Sequence, residues 1–320
     1  MSKTTKLWLF IAVSLVVVGG LIFGGVMMML KWDFSLLSTS KHETNEYVIT
    51  EAFQNISVVT DTADVVFVPT RESEVTVTCQ ETEKLKYSVR VEDGTLIVEL
   101  VDERKWYDYI GIHFGSRHVV ISLPAREYGA LAVELNTGNV DIPGMFRFES
   151  MEILSTTGHV TNFASASEQI RIGTSTGDIR VEGVSAGALE LTVSTGKVMV
   201  TDVTCGGNMK VNVSTGKTSL TDIRCSNLVS NGNAGDLSMK NVVAEGAFSI
   251  ERCTGDVRLD ACDAAEIFIK TDTGDVTGSL LTDKIFLPRT DTGSVDVPGT
   301  TTGGKCKVET ATGDIKLRIG

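Results

Sequence analysis

The stretch STGDIRV at residues 175–181 returns as STGKVMV at 194–200 and as CTGDVRL at 253–259. Its glycine recurs ten times at intervals of 19 or 20 residues, as Gly138, Gly158, Gly177, Gly196, Gly216, Gly235, Gly255, Gly274, Gly293 and Gly313. A fixed interval of this length is typical of repeat architectures, in which equivalent units stack and share one core. The sequence therefore predicts a solenoid.

Apolar and polar residues alternate on both sides of each glycine. After Gly177, for example, Ile179 and Val181 flank the polar Arg180. A period of two places one side of a β-strand against a core, and a glycine allows a sharp bend between two such strands. No helical pattern of useful length interrupts these strands, so we expect an all-β fold. Because parallel crossovers are right-handed, we expect a right-handed parallel β-helix, or β-solenoid, of about ten 19–20-residue rungs over residues 129–320.

The chain begins with a membrane-spanning pattern. Residues 7–30 are apolar throughout and carry no charge, and a helix of this length crosses a bilayer. Lys3 and Lys6 precede the run, so the positive-inside rule predicts a cytoplasmic stub at residues 1–6 and a solenoid on the other side. We expect a single-pass, uncleaved anchor, because a signal peptide has a shorter apolar run.

Between the anchor and the repeats lie two further regions. Residues 31–47 are polar and typical of a tether, whereas residues 48–128 contain a degenerate rung with Ala63 in the glycine position. Within that region Asp93 and Gly94 join two alternating runs, which is a strong signal for a β-hairpin. We therefore expect an antiparallel N-terminal addition that caps this end of the solenoid.

Two features favour self-association. Gly20 and Gly24 form a G-x-x-x-G pair that brings membrane helices together in some dimers, although glycine is also common in membrane helices generally. At the other end the chain stops at Gly320, directly after an apolar strand pattern and without a capping helix. We expect an uncapped C-terminal edge there, available for pairing with another chain.

The composition excludes some classes of function. The net charge is −12, whereas a nucleic-acid-binding protein needs a basic stripe. With four histidines and no Cys-x-x-Cys pair, the sequence offers no zinc site, and no cofactor is expected.

An aromatic cluster interrupts this composition and supplies the candidate binding residues: Trp106, Tyr107, Tyr109 and Phe114. Exposed Trp and Tyr are enriched at contact sites, because they bury a large area while keeping a polar group. The alternative is that these rings cover the open N-terminal end of the solenoid.

Acidic residues recur at one position of the repeat and raise the alternative of a calcium site. Asp256 and Asp275 share a column directly after the glycine, and Asp272 is expected to stack on Asp291 nearby. Calcium prefers such oxygen clusters. The same column also holds lysines, so a solvated acidic face is the preferred interpretation, with no metal bound.

The cysteines and threonines each suggest a structural role. Cys205 and Cys225 lie nine residues after their glycines, so they stack at a spacing that permits a disulfide outside the cytoplasm. A threonine precedes the glycine in nine of ten repeats, and its hydroxyl is expected to cap the bend. The column three positions before the glycine is irregular and includes Gly232 and Arg252, which disfavours an ice-binding face.

The anchor, the strand-rich lead-in and the Thr-Gly motif together resemble a bacterial adhesin-like family of β-strand-repeat proteins, a domain of unknown function. The resemblance implies an extracytoplasmic β-helix in the bacterial cell membrane and provides no catalytic residues. We expect a non-catalytic, membrane-anchored module for cell-surface binding or scaffolding, with an envelope protein or the cell wall as partner. An envelope-stress sensor that contacts another membrane protein is the alternative. A carbohydrate-active enzyme is the least favoured, because the turns between rungs are short.

Overall fold

The computed structural model describes residues 2–32, 43–106 and 117–320, and it contains one helix and 24 strands. The helix, α1, spans Lys3–Met29. The strands before the repeats are β1 (Glu43–Ile49), β2 (Asn55–Thr62), β3 (Asp64–Thr70), β4 (Val75–Glu81), β5 (Leu85–Glu92), β6 (Thr95–Asp102) and β7 (His118–Pro124).

The strands of the repeats are β8 (Glu127–Thr137), β9 (Val140–Ile142), β10 (Arg147–Thr157), β11 (Val160–Asn162), β12 (Ser165–Thr176), β13 (Ile179–Thr195), β14 (Val198–Cys205), β15 (Asn208–Thr215), β16 (Thr218–Cys225), β17 (Asn227–Ala234), β18 (Leu237–Thr254), β19 (Val257–Thr273), β20 (Val276–Leu280), β21 (Lys284–Thr292), β22 (Val295–Asp296), β23 (Gly304–Thr312) and β24 (Ile315–Ile319).

Equivalent strands pair in parallel and in register along the stack. Ile172, Leu191 and Val211 form one such column on three neighbouring rungs, and all three are buried. Alternate residues of each strand point into a single core that runs the length of the stack. The predicted all-β solenoid of about ten rungs is confirmed, while the hand of its coil stays a prediction.

The glycine column explains why the repeat is so regular. All ten glycines have φ between +129° and +153°, a region that side chains strongly disfavour. A Cβ atom on Gly216 would overlap the carbonyl oxygen of Gly196 on the preceding rung. Each bend therefore requires glycine for its backbone conformation and for its close contact with the rung below.

A second corner, which the sequence analysis missed, lies six residues after the glycine. The residues there adopt the left-handed conformation, with φ of 50–66°: Gly183, Asp202, Asp222, Asn241 and Ala261. Glycine, asparagine and aspartate tolerate this conformation best, so four of the five fit it. The sequence signal for this corner is its fixed offset of six residues from the glycine. Ala261 is the strained member of the column, because alanine disfavours a positive φ.

The N-terminal end carries the expected antiparallel addition. β2 and β3 form the first rung, with Ala63 at its bend, and both pair with the next rung in parallel. On their other side lie β6 and β7, also parallel. Beyond these, β5 pairs with β6 and β4 with β7 in antiparallel fashion, and β1 is the outermost strand, antiparallel to β4.

The C-terminal end differs from the expectation. The last rung in the chain, β23 and β24, does not form the edge, because β23 pairs with β19 on one side and with β21 on the other. The glycines therefore stack in the order Gly274, Gly313, Gly293. The prediction of an edge at the C-terminal strand was wrong: within the described part of the chain, the outer edge of the stack is β21 with β22.

Helix α1 is long and apolar enough to cross a membrane. The span Thr4–Met29 has a mean hydropathy of 2.6 in its most apolar 18-residue window, and no part of that window is buried against the rest of the protein. Met27, near the end of the helix, is buried. An N-terminal signal sequence would meet the same description. Gly20 and Gly24 have open space around their Cα atoms, so nothing in the described chain covers this face of the helix.

Candidate functional site

The aromatic cluster belongs to an insertion in the outermost parallel rung. β6 and β7 occupy the two sheet positions that β2 and β3 occupy one rung further in. In the regular rungs the glycine and the residue after it join such strands, whereas here the chain between Asp102 and His118 does so. Trp106 lies in this insertion and its side chain is 77% exposed. Tyr107, Tyr109 and Phe114 lie outside the described residues.

Polar side-chain contacts hold both ends of the insertion against the first rung. At its start Asp102 accepts hydrogen bonds from the backbone N–H of Arg104 at 2.9 Å and from its Nη2 at 2.7 Å. The same Nη2 lies 4.0 Å from a carboxylate oxygen of Asp61 on β2. At the other end His118 Nδ1 lies 3.4 Å from Asp64 Oδ2 on β3. The insertion therefore begins and ends at fixed positions beside the first bend.

A buried carboxylate holds the outermost strand in place. Glu81 is 1% exposed and accepts hydrogen bonds from Asn45 Nδ2 at 2.6 Å and Tyr47 Oη at 2.7 Å on β1, and from the backbone N–H of Tyr87 at 2.8 Å on β5. Burial, followed by the hydrogen bond to Glu81, raises the pKa of the Tyr47 hydroxyl. Burial and the nearby Glu81 charge raise the pKa of the Cys79 thiol to about 12. This polar cluster ties β1, the strand nearest the anchor, to the solenoid.

A shallow cleft of about 420 Å³ lies at the opposite corner of the first rung, and the sequence analysis did not identify it. The guanidinium carbon of Arg126 lies 4.7 Å from the ring centre of Tyr128 and 5.7 Å from that of Phe53. Arg126 Nη2 also donates a hydrogen bond to the Phe53 carbonyl oxygen at 3.0 Å. Because these contacts occupy the guanidinium, the arrangement resembles a packed structural corner more than a ligand site.

The acidic column after the glycine forms a hydrogen-bonded ladder. Asp256 Oδ1 accepts the backbone N–H of Asp275 at 2.9 Å, and Asp275 Oδ1 accepts that of Asp314 at 2.7 Å. The side chain of Lys316, and then the N–H of Ser294, hold the pKa of the Asp314 carboxyl at about 2. The aspartates therefore have a structural role, since they satisfy backbone donors between rungs.

The proposed stacking of Asp272 on Asp291 is wrong. In the register of the sheet Thr271 and Thr273 pair with Thr310 and Thr312, which in turn pair with Thr290 and Thr292. The inserted rung thus separates the two aspartates by one strand. Among the described residues no three His, Cys, Asp or Glu side chains are grouped to hold a metal ion. The calcium hypothesis stays a prediction, without support from the geometry.

The bend is capped by a different threonine from the expected one. The threonines directly before the glycines are exposed. Instead, hydroxyls three positions before the glycine donate to a glycine carbonyl on the neighbouring rung: Thr174 to Gly158 at 3.3 Å, and Thr310 to Gly274 at 3.2 Å. A threonine hydroxyl therefore does cap the bend. It comes from the column three positions before the glycine, on those rungs where that column holds threonine.

Cys205 and Cys225 occupy equivalent positions on neighbouring rungs. The residues directly before them pair as Thr204 with Arg224, and both cysteines are buried free thiols. The Cys205 thiol lies 3.4 Å from the carbonyl oxygen of Asn208. Burial raises the pKa of the Cys225 thiol to about 12, so little thiolate is available for oxidation at neutral pH. The disulfide stays a prediction.

Comparison with known proteins identifies the family. The chain matches the Toastrack DUF4097 family over residues 53–212 and again over 204–320, and it belongs to that family. The two matches together cover the first rung, the N-terminal addition apart from β1, and all ten repeats. No curated protein matches the chain.

Several solved structures are similar over most of their length. A candidate lipid-binding protein from Parabacteroides distasonis is 12% identical with a TM-score of 0.43, and the match covers 88% of this chain and 98% of that one. A candidate adhesin from the same species is 12% identical with a TM-score of 0.41, over 86% and 98%. A candidate adhesin from Bacteroides fragilis is 13% identical with a TM-score of 0.34, over 87% and 97%. Scores this low establish nothing about what the present chain binds.

Proposed function

We propose that this chain is a non-catalytic binding module anchored in the bacterial cell membrane. Helix α1 is the anchor, with the N-terminus in the cytoplasm and the solenoid outside. The solenoid contacts another component of the envelope through the insertion that contains Trp106. The observation that carries this proposal is the common location of two features at the N-terminal end of the stack.

The first feature is the path of the chain toward the anchor. β1 is the outermost strand of the N-terminal addition, and the chain before it leads to α1. The second feature is the insertion between β6 and β7, which starts with a 77% exposed Trp106. A large exposed indole at the end of the stack to which the anchor connects suits contact with a membrane neighbour, because Trp combines a large apolar surface with one hydrogen-bond donor.

The first test is photo-crosslinking in the native membrane with the full-length chain. A photoreactive phenylalanine analogue at position 106 should give a discrete crosslinked envelope protein. The same analogue at position 199 is the control, because Met199 is 39% exposed on the outer face of a regular rung in the middle of the stack. Absence of any adduct specific to position 106 would contradict the proposal, and adducts with lipid alone would assign the insertion to the bilayer.

The second test separates contact from capping. If the aromatic side chains form a contact surface, Trp106→Ala with Tyr109→Ala should melt like the wild type and lose the crosslinked partner, read out with the analogue at position 103. If the rings instead cover the end of the core, the double variant should lose about 3–5 kcal/mol of stability, as buried aromatic side chains do.

A further inference from the structure

The middle of the core contains a buried arginine. Arg252 lies in the inward column three positions before Gly255 and is only 3% exposed. Its Nη2 donates to the hydroxyl of Ser230 at 2.8 Å and lies 3.4 Å from that of Thr218. Its Nε and Nη1 have no hydrogen-bond partner among the described residues. Since arginine stays protonated, the core holds a positive charge with two donor nitrogens that have no partner.

No carboxylate in the described part of the chain forms an ion pair with this guanidinium. Burial alone lowers the pKa of Arg252, to about 10, and no neighbouring charge contributes to the shift. A buried charge without a partner is among the most costly features a core can contain, and native cores supply a counter-charge, a water molecule or an ion. The environment of Arg252 therefore requires a partner that the protein chain does not provide.

The sequence around Arg252 is adapted to a polar group. Thr218 lies between Val198 and Leu237 in its column, and Ser230 lies between Val211 and Ile250. These two rung positions thus carry hydroxyls where the neighbouring rungs carry aliphatic side chains. Together with Arg252 they form one polar cluster inside an otherwise apolar core.

A third adaptation is the glycine beside Arg252. Gly232 pairs with Arg252 in register, and a Cβ atom on Gly232 would overlap Arg252 Nη1. The guanidinium therefore occupies the space of the missing side chain. Three changes on two adjacent rungs, all toward small or polar residues, indicate a built site and not an isolated substitution.

We propose that this cluster binds one small monovalent inorganic anion of the size of chloride, held by Nε and Nη1 of Arg252. An anion satisfies both donors and neutralises the charge. A water molecule would accept the same hydrogen bonds and leave the charge uncompensated in a medium of low polarity. The anion has a structural role in the middle of the stack, remote from the insertion at the N-terminal end.

The experiment is thermal unfolding of the full-length protein in detergent, in sodium chloride and in sodium gluconate at equal ionic strength. Gluconate is a bulky organic anion, and we expect the enclosed core to exclude it. A ligand that binds only the folded state raises Tm with its concentration. Chloride should therefore raise the Tm of the wild type by several degrees relative to gluconate, on the order expected for an occupied site. Arg252→Met, which keeps the length of the side chain without its charge, should abolish the difference.

Arg258→Met is the matched control, because Arg258 belongs to the neighbouring strand and is exposed. It should keep the full chloride effect. Equal Tm values of the wild type in the two salts would overturn the proposal, as would a chloride effect that persists in Arg252→Met. If Arg252→Met does not fold, crystals of the wild type grown with bromide decide the question. An anomalous peak within hydrogen-bond distance of Nε and Nη1 supports the site, and its absence refutes it.

Discussion

The middle and the C-terminal end of the solenoid are built from the same motif and are assembled differently. From Gly158 to Gly274 each rung stacks on the one that precedes it in the chain. Beyond Gly274 the last rung inserts, and the rung of Gly293 becomes the outer one. The backbone conformation at the bends is the same in both regions, with φ of +153° at Gly293 and +151° at Gly313. The motif thus determines the shape of a rung without determining its neighbours.

Side chains specific to this end form contacts across the inserted rung. Lys284 pairs in register with Gly304 of the inserted rung, and its ammonium reaches beyond that rung to Asp263 Oδ1 at 2.7 Å. The Thr300 hydroxyl also donates to the carbonyl oxygen of Lys284. Because every rung presents the same row of backbone donors and acceptors, we expect such contacts to select one order over another.

The largest effect is expected in the middle of the stack. Gly216→Ala places a Cβ atom on the carbonyl oxygen of Gly196 and forces φ of +142° on a residue with a side chain. Strain and overlap together should cost on the order of 4 kcal/mol or more. Thermal unfolding of the full-length variant in detergent checks this.

Gly299 offers the matched control at the C-terminal end. A Cβ atom there meets nothing within 4 Å, so Gly299→Ala should leave Tm almost unchanged. Similar losses of Tm in the two variants would mean that close contact between rungs is not the reason for the regular spacing of glycines along this chain.

The contrast also shows what the sequence makes predictable. The rung length and the strands could be predicted because each bend requires a glycine, and a periodic glycine is visible in one sequence. The order of the last rungs could not, because Gly293 and Gly313 carry equivalent motifs. The contact that separates them joins Lys284 to Asp263, two residues that are unremarkable in type and belong to no repeated motif.

The candidate sites were predictable to different degrees. The insertion was visible as a cluster of aromatic residues in a chain that has few, although only Trp106 of the four lies in the described part. Glu81 was not visible, since its burial depends on the pairing of β1 with β4. Arg252 was visible only as an irregularity in a column, and its burial gives that irregularity a physical meaning.

A smaller effect is expected from the ion pair that crosses the inserted rung. Lys284→Ala leaves the carboxylate of Asp263, whose side chain is 15% exposed, without its cation. Removing one partner of a buried pair costs about 3 kcal/mol. We expect the loss to be concentrated at the C-terminal end. Relative to the wild type, amide exchange should become faster in β21 and β22 and stay unchanged in β14.

The exposed pair on the same strand is the control for this prediction. Arg289 Nη2 lies 3.5 Å from Asp291 Oδ1, and the two side chains are 74% and 64% exposed. Surface pairs of this kind contribute little, so Arg289→Ala should melt like the wild type. An equally mild effect of Lys284→Ala would show that the buried pair does not select the order of the rungs.

The smallest effect tests the order of the rungs directly, through the ladder of aspartates. Asp275 Oδ1 accepts the backbone N–H of Asp314, whereas the N–H of Ser294 bonds to Asp314 Oδ1 at 2.8 Å. Asp275→Ala removes one hydrogen bond worth about 1 kcal/mol, so the amide of Asp314 should exchange about fivefold faster. Asp275→Asn keeps an oxygen in place and should exchange like the wild type. If the rungs stacked in the order of the chain, the amide of Ser294 would respond to Asp275→Ala and that of Asp314 would not.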